Sequence, residues 1–257
     1  MNKNAAAVEI RDLTVSFSRW GQTVTALDNV SLTIPSGQWV MLVGHNGGGK
    51  STLLRAISGR LRPNLGQITI GGKQVTRMSS TEIAERVFHV QQDPLLGTAS
   101  NLTLFENLMV ADHKAQVEGT ATRELALKYR GLLQPLGLAD RLKQLARYLS
   151  GGERQLIALL IARLRPASVL LLDEPLAALE PLKADLCMEE IQALSHEGRT
   201  ILQVTHDERT AAKVGDRTLA LQSGCIVYDE QAEERALIAI AKHWYPKGDN
   251  LTNANHD

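Results

Sequence analysis

A glycine-rich loop between an apolar run and a helical stretch constrains the fold of this chain more than any other feature. The loop reads Gly44-His45-Asn46-Gly47-Gly48-Gly49-Lys50-Ser51-Thr52, so two glycines enclose four residues and precede Lys-Ser. Before it, Trp39–Val43 form a continuous apolar run of strand length, typical of a strand buried on both faces. After it, a helical stretch extends from Lys50 to about Ser58. A strand, a glycine loop and a helix in this order predict a phosphate-binding loop.

The residue types in this loop suit phosphate chemistry. Glycines allow consecutive backbone N–H groups to converge on phosphate oxygens, and the helix that follows adds its positive end. Lys50 is then expected to contact the terminal phosphates, and the Ser51 hydroxyl is expected to bind Mg²⁺. The alternative, a glycine-rich turn that binds nothing, leaves the Lys-Ser-Thr string unexplained.

Strands alternate with helices along the rest of the chain. Period-two spacing of apolar residues predicts strands within Val8–Phe17 and Val24–Ile34, and short apolar runs predict strands at Val169–Leu172 and Thr200–Thr205. A final pair of short strands, within 218–228, is predicted to form a hairpin. This order favours a mostly parallel sheet with helices on both faces, preceded by antiparallel strands.

Composition excludes several classes of protein. The 28 basic and 28 acidic residues of the 257 cancel, which argues against nucleic-acid binding through bulk charge. No apolar run approaches the ~20 residues that a membrane-spanning helix needs, and the N-terminus lacks the apolar centre of a secretory signal. Cys187 and Cys225 are far apart and do not have the spacing of a zinc site. We therefore expect a cytosolic protein that takes any membrane-spanning part from another chain.

A pair of carboxylates follows the second buried strand. Val169–Leu172 end at Asp173-Glu174-Pro175. Mg²⁺ at a phosphate site needs hard oxygen ligands, and Asp173 could hold the metal directly or through water. Glu174, one residue further, is placed to orient or deprotonate an attacking water. The alternative is two solvated carboxylates at the end of a strand.

A third motif identifies a family. Leu149-Ser150-Gly151-Gly152-Glu153-Arg154-Gln155 lies 18 residues before Asp173 and resembles the signature of the ATP-binding cassette (ABC) family. Gln92 resembles the glutamine of that family's glutamine loop, and His206, after Val204-Thr205, resembles its switch histidine. The resemblance extends from about Val8 to Asp229, which implies a single nucleotide-binding subunit.

The resemblance implies ATP and Mg²⁺ as ligands and assigns a role to each motif. Two copies are expected to enclose two ATP molecules head to tail, so that the signature of one copy faces the γ-phosphate held by the other. The implied catalytic residues are Glu174, His206, Gln92 and Lys50, and the implied metal ligands are Ser51, Gln92 and Asp173. The implied nucleotide-binding residues are Phe17, Gly44, His45, Asn46, Gly47, Gly48, Gly49, Lys50, Ser51, Thr52, Ser150, Gly151 and Gly152. Phe17 is the first choice for stacking on adenine and Trp20 the second; simple packing is the alternative for both.

The implied fold is an α/β P-loop NTPase core with a mostly parallel sheet, an N-terminal antiparallel β subdomain and an inserted helical subdomain. The expected ATPase domain covers residues 1–240, with its core at 1–100 and 155–230 and its helical subdomain at about 101–154. Residues 241–257 are expected to form a polar tail.

Two positions depart from the family pattern. Glu180 stands where the family usually has Asp, which predicts slower or less tightly coupled hydrolysis and a faster Glu180→Asp variant. Gly48 stands where the family often has Ala or Ser, so Gly48→Ala is expected to be tolerated.

The implied function is that of an ATP-hydrolysing subunit of a transporter at the cytoplasmic face of the inner membrane. Its expected partners are a second cassette, identical or not, and separate membrane-spanning permease subunits that dock on the segment Leu95–Leu102. Import of a small solute is the first expectation, with an extracytoplasmic solute-binding protein as a further candidate partner and no nucleic acid. The alternatives are a soluble cassette that acts mechanically on a non-membrane partner, a lipid or lipoprotein export cassette, and a regulatory cassette that does not hydrolyse ATP.

Overall fold

The computed structural model describes residues 6–19, 22–207, 211 and 213–231 and contains two sheets. The larger sheet has the strand order β10-β9-β3-β8-β7-β6. Its strands are β3 (Trp39–Val43), β6 (Val87–Val90), β7 (Val169–Asp173), β8 (Thr200–Val204), β9 (Arg217–Gln222) and β10 (Cys225–Glu230). Neighbouring strands run parallel except β9 and β10, which form an antiparallel hairpin. Every residue of β3, β7 and β8 is buried, as the apolar runs predict.

The smaller sheet is antiparallel, with the strand order β2-β1-β4-β5. Its strands are β1 (Ala6–Arg19), β2 (Gln22–Pro35), β4 (Leu65–Ile70) and β5 (Lys73–Gln74). Apolar residues of β1 and β2 alternate with polar ones and turn one face of this sheet towards helix α1 (Lys50–Ile57), with which they form one buried cluster. The two sheets confirm the predicted α/β fold with a mostly parallel sheet and an antiparallel β subdomain.

The other helices connect the strands of the larger sheet or lie in an insert between two of them. α2 (Ser80–Ala84) precedes β6, and α7 (Pro181–His196) connects β7 to β8. Between β6 and β7 lie α3 (Leu104–Ala111), α4 (His113–Glu118), α5 (Thr122–Leu133) and α6 (Gly151–Leu164). The insert has its own core around Tyr129, whose side chain is fully buried and whose hydroxyl donates to Asp112 over 3.0 Å.

Helix α6 belongs to two cores at once. Ser150 caps its first turn together with Glu153, because each side chain accepts from the other residue's backbone N–H. Leu156 and Leu159 pack in the core beside the parallel sheet, whereas Ile157 and Leu160 pack in the core of the insert. The helix therefore continues across residues 154 and 155, where the sequence predicts the boundary between helical subdomain and core.

Within the described residues, we find no helix that is long and apolar enough to cross a bilayer. The expected polar tail at 241–257 lies outside the described residues.

His89 on β6 predicts a pH dependence of stability. Both of its ring nitrogens are buried and have no hydrogen-bond partner among the described residues. Burial, with further contributions from Arg60 and Arg55, lowers the pKa of His89 from 6.5 to about 4. The unfolded chain therefore binds a proton between pH 6.5 and 4 that the folded chain does not, so the free energy of unfolding falls as the pH drops through this range.

We expect His89→Gln to remove this contribution, which amounts to up to about 3 kcal/mol at pH 4. Urea unfolding of wild type and variant at several pH values between 7 and 4 measures the difference in slope. His113→Gln, which removes an exposed histidine from α4, is the matched control. Parallel profiles for wild type and His89→Gln would contradict the prediction.

Candidate functional site

The predicted phosphate loop lies between the end of β3 and the start of α1. Gly44, Gly47 and Gly49 have φ values of 145°, 79° and 106°, in the region that favours glycine. Gly49 is the N-cap of α1 and no side chain caps this end, so the first N–H groups of the helix remain available for a ligand. An anion is favoured at such a helix start.

Lys50 is folded back over the loop. Its Nζ donates to the carbonyl oxygens of Gly44 at 2.6 Å and His45 at 2.9 Å, and the residue is only 6% exposed. Burial lowers the pKa of Lys50, although the carboxylates of Glu174 and Asp173 oppose this effect. A phosphate ligand would provide the negative charge that favours the protonated amine.

The loop is more tightly enclosed than its sequence indicates. A Cβ atom added to Gly48 would lie 2.9 Å from the Leu221 carbonyl oxygen and 3.1 Å from that of His45. Backbone atoms would have to move to make room for it. The prediction that Gly48→Ala is tolerated therefore requires a backbone shift in the loop or at Leu221.

Two carboxylates lie at the carboxyl end of β7, next to the loop. Asp173 is 8% exposed, and burial raises its pKa although a hydrogen bond with Ser51 opposes the shift. Glu174 has a φ of 51°, which is rare for a side chain with a Cβ, and its N–H donates to the Val204 carbonyl oxygen at 3.2 Å. Residues in such conformations are often found at functional sites.

The donor set beside the loop fits Mg²⁺. Ser51 and Asp173 supply a hydroxyl and a carboxylate, which are hard oxygen ligands, and Mg²⁺ is commonly held by one or two protein groups plus phosphates and water. The described residues contain no cluster of three or more His, Cys, Asp or Glu side chains that would hold a metal without a phosphate ligand.

Two of the predicted catalytic side chains, Gln92 and His206, both contact the Glu174 carboxylate. Oε1 of Glu174 lies 2.6 Å from Nε2 of His206, and the Gln92 side-chain amide donates to Oε2 of Glu174 over 3.4 Å. The Glu174 side chain is 16% exposed, whereas that of His206 is 44% exposed. The arrangement gives one shielded carboxylate with a histidine on one oxygen and an amide on the other, next to the phosphate loop.

The predicted signature forms the tip of α6. Ser150 Oγ accepts from the Glu153 N–H at 3.3 Å and from Nζ of Lys183 at 3.2 Å. The stem of Lys183 packs over Gly152, where a Cβ would come within 2.5 Å of the lysine Cδ. Glu180, the N-cap of α7, lies 3.6 Å from the same Nζ, and its side chain is 78% exposed. The sequence had no signal that would place Lys183 at this tip.

Of the two predicted adenine-stacking residues, the structure describes one. Phe17 is 44% exposed near the end of β1, opposite Val24 of β2. Trp20 lies outside the described residues. The exposed Phe17 ring leaves a face open for a base, and β2 reaches the phosphate loop through Ala26, whose carbonyl oxygen would be 2.5 Å from a Cβ on Gly49.

The predicted docking segment forms a surface turn. Pro94–Gly97 make a 3-10 turn in which Leu95 and Leu96 are 56% and 61% exposed. A groove beside it is lined by Leu96, Thr98, Asn107, Val110 and Arg165. Exposed leucines next to a groove are typical of a contact surface.

Comparison with known proteins gives a consistent result. The family model described as ABC transporter matches residues 27–177. A tyrosine transport ATP-binding protein of Clostridioides difficile (strain R20291) is 36% identical over 91% of this chain and 95% of that protein. A methionine import ATP-binding protein of Listeria monocytogenes is 32% identical over 92% of this chain and 69% of that protein. A macrolide export ATP-binding/permease protein of Hyphomonas neptunium is 32% identical, and the match covers 93% of this chain but 37% of that protein.

Solved structures agree with these relatives. The dimeric structure of an ATP-binding cassette in a post-hydrolysis state, bound to ADP and Pi, superposes with a TM-score of 0.74 at 26% identity. The match covers 88% of this chain and 99% of that chain. A nucleotide-free ATP-binding cassette from an ABC transporter superposes with a TM-score of 0.75 at 22% identity over 92% of this chain and 96% of that one, which supports the fold alone.

Proposed function

This chain belongs to the ABC transporter family as an ATP-binding subunit. We propose that it hydrolyses ATP to power import of a small solute through separate membrane-spanning chains. The observation that carries the proposal is the contact of 2.6 Å between Glu174 and His206 beside the phosphate loop. A cassette that only binds nucleotide does not require a shielded carboxylate and a histidine at this place.

The residues of the loop bind and orient the triphosphate. No side chain caps the start of α1, so its first backbone N–H groups are available to donate to phosphate oxygens. Lys50 leaves the carbonyl oxygens of Gly44 and His45 to contact the terminal phosphates. Mg²⁺, when bound, would be held by Ser51 and Asp173 and would offset the charge that develops on the phosphates.

Glu174 and His206 act on the water and on the transferred phosphoryl group. The Glu174 carboxylate accepts a proton from the attacking water, which Gln92 helps to position. His206 lies within hydrogen-bond distance of the same carboxylate. In this proposal it stabilises the charge that develops on the γ-phosphate. Catalysis of this kind depends mainly on positioning and on charge stabilisation.

We propose that a second cassette completes each site. The Ser150–Glu153 cap occupies the N–H groups of these two residues. The Gly151 and Gly152 N–H groups and the positive end of α6 are the groups that would face a terminal phosphate. Dimeric cassettes among the structural relatives support pairing. The Ser150 tip would then close on the nucleotide bound by the partner copy.

The names of two relatives support the import proposal, whereas the macrolide relative is named for export. One is named for tyrosine transport and one for methionine import. The exposed leucines of the Pro94–Gly97 turn provide a surface on which a membrane-spanning subunit can dock at the cytoplasmic face.

The test is an uptake assay with a hydrolysis-defective control. Cells that lack the chain are supplied with the wild type or with Glu174→Gln, and uptake of labelled amino acids and other small solutes is measured. We expect wild type alone to restore uptake of at least one solute and to co-purify with a membrane-spanning chain. Restored efflux without uptake would show that the chain powers export and not import. Co-purification with a ribosomal or DNA partner in place of a membrane-spanning chain would contradict the proposed transport function.

We expect a smaller effect from substitution of Glu180. It is the N-cap of α7 but makes no side-chain cap hydrogen bond, whereas Asp is among the preferred N-cap residues. We expect Glu180→Asp to raise the ATPase rate, and to raise the free energy of unfolding by about 0.5–1 kcal/mol. Phosphate-release assays and urea unfolding measure both effects, and a slower Glu180→Asp variant would contradict the first.

A further inference from the structure

The tight turn between β9 and β10 lies against the phosphate loop. The Gly224 N–H donates to the Gly48 carbonyl oxygen at 3.1 Å. On the same side, Leu221 at the end of β9 touches the loop: its carbonyl oxygen would be 2.9 Å from a Cβ on Gly48, and its Cδ2 3.0 Å from a Cβ on Gly49. Backbone and side chain of one hairpin therefore hold the loop from one side.

The same turn is also fixed to the antiparallel sheet. The Gly224 carbonyl oxygen accepts from the Asp28 N–H of β2 at 2.9 Å. A Cβ on Gly224 would lie 2.9 Å from the Ala26 carbonyl oxygen. Gly224 thus occupies a junction between the phosphate loop, the parallel sheet and β2.

The conformation of the turn leaves little freedom. Ser223 and Gly224 have φ values of 48° and 81°, and two successive residues of positive φ are typical of the type I′ turn of a two-residue hairpin. Because an added Cβ would lie 2.9 Å from a backbone oxygen, a side chain at position 224 would force backbone atoms to move. A rigid turn of this kind can set the orientation of the peptide group that it binds.

The Gly48 carbonyl and the Gly49 N–H belong to one planar trans peptide group, so they point in opposite directions. A hydrogen bond that holds the carbonyl towards the β9–β10 turn therefore holds the Gly49 N–H away from it. We propose that Gly224 is a positioning residue for nucleotide binding: its N–H orients the Gly48–Gly49 peptide group so that the Gly49 N–H donates to a phosphate. This proposal depends on the proposed function only in requiring that the loop binds a polyphosphate.

The test compares Gly224→Ala with Gly72→Ala. Gly72 lies in the β4–β5 turn with a φ of 75°, and a Cβ there meets no atom within 4 Å, so it controls for backbone strain in a tight turn. We measure the dissociation constants of MgATP and magnesium tripolyphosphate, the melting temperature and the ATPase rate at saturating ATP. We expect Gly224→Ala to raise the dissociation constants of both ligands by the same factor, about tenfold, which corresponds to the loss of one hydrogen bond. Gly72→Ala should bind both ligands like the wild type.

Two outcomes of the comparison between the variants would overturn the proposal. If the melting temperature falls but neither ligand is weakened, Gly224 has a structural role only. If Gly224→Ala weakens the binding of ATP but not of tripolyphosphate, the turn positions the part of the site that binds the base and not the part that binds the phosphates. A wild-type chain that binds neither ligand would refute the proposed function, and this proposal with it.

A measurement on the wild type keeps the proposal testable if Gly224→Ala does not fold. Because coupling between two events is reciprocal, a ligand that requires the Gly48–Gly224 hydrogen bond must stabilise it. Amide hydrogen exchange of Gly224 should therefore slow by at least about threefold at saturating magnesium tripolyphosphate. The Gly71 N–H, which donates to Ala7 at 2.9 Å in the β4–β5 region, is the reference amide. An unchanged exchange rate at Gly224 would overturn the proposal.

Discussion

A purified Glu174→Gln variant is expected to bind MgATP and to hydrolyse it at least about a hundredfold more slowly than the wild type. The amide keeps the shape of the side chain but cannot accept a proton from water. ATP held between two copies would then no longer be consumed, so the ATP-bound pair should accumulate. Phosphate release measures the rate, and light scattering with saturating MgATP measures the mass of the complex.

Glu189→Gln is the matched control for this variant. Glu189 is an exposed carboxylate on α7, and its replacement removes the same charge without touching the site. We expect it to hydrolyse ATP at the wild-type rate. A Glu174→Gln variant that stays active, or that remains a monomer with saturating MgATP, would contradict the role given to Glu174 or the proposed pairing.

Gly44→Ala is expected to abolish nucleotide binding, with an affinity loss of more than about a hundredfold. Gly44 has a φ of 145°, and an added Cβ would overlap the Leu221 carbonyl oxygen. Backbone strain of this type costs roughly 1–3 kcal/mol, and the overlap forces β3 and β9 apart at the entrance of the loop in addition. Isothermal titration with MgATP and thermal unfolding measure the two effects.

Gly47→Ala distinguishes the effect of backbone strain from that of steric overlap with Leu221. Gly47 also has a positive φ, 79°, but a Cβ there meets no atom within 4 Å. We expect it to lose roughly 1–2 kcal/mol of stability and to keep measurable ATP binding. Equal losses of affinity in the two variants would show that conformation, and not contact with Leu221, limits the loop.

The elements that could be predicted from the sequence are those whose burial leaves a local pattern. β3, β7 and β8 are buried on both faces and appear as apolar runs, and β1 and β2 alternate because one face packs on α1. α7 was not predicted, although the buried residues Cys187, Ile191 and Leu194 have helical spacing and Pro181 is a favourable first residue.

Within the site, motifs were sufficient for residues that lie at strand ends. The predicted partners Ser51 and Asp173, and the group of Glu174, His206 and Gln92, are brought together because adjacent parallel strands end at one edge of the sheet. The contacts of Gly48 with Leu221 and of Ser150 with Lys183 could not be predicted. They join segments that are remote along the chain, and no residue type at either position requires the other.

The close approach of Gly97 to Ala158 has a mechanical consequence. A Cβ on Gly97 would lie 2.7 Å from the Ala158 Cβ, so the Pro94–Gly97 turn rests directly on α6. Ala158 is eight residues from Ser150, a distance of about 12 Å along a helix that bends little over two turns. A displacement of this turn towards α6 is therefore expected to displace the whole helix, and Ser150 at its N-terminal end with it.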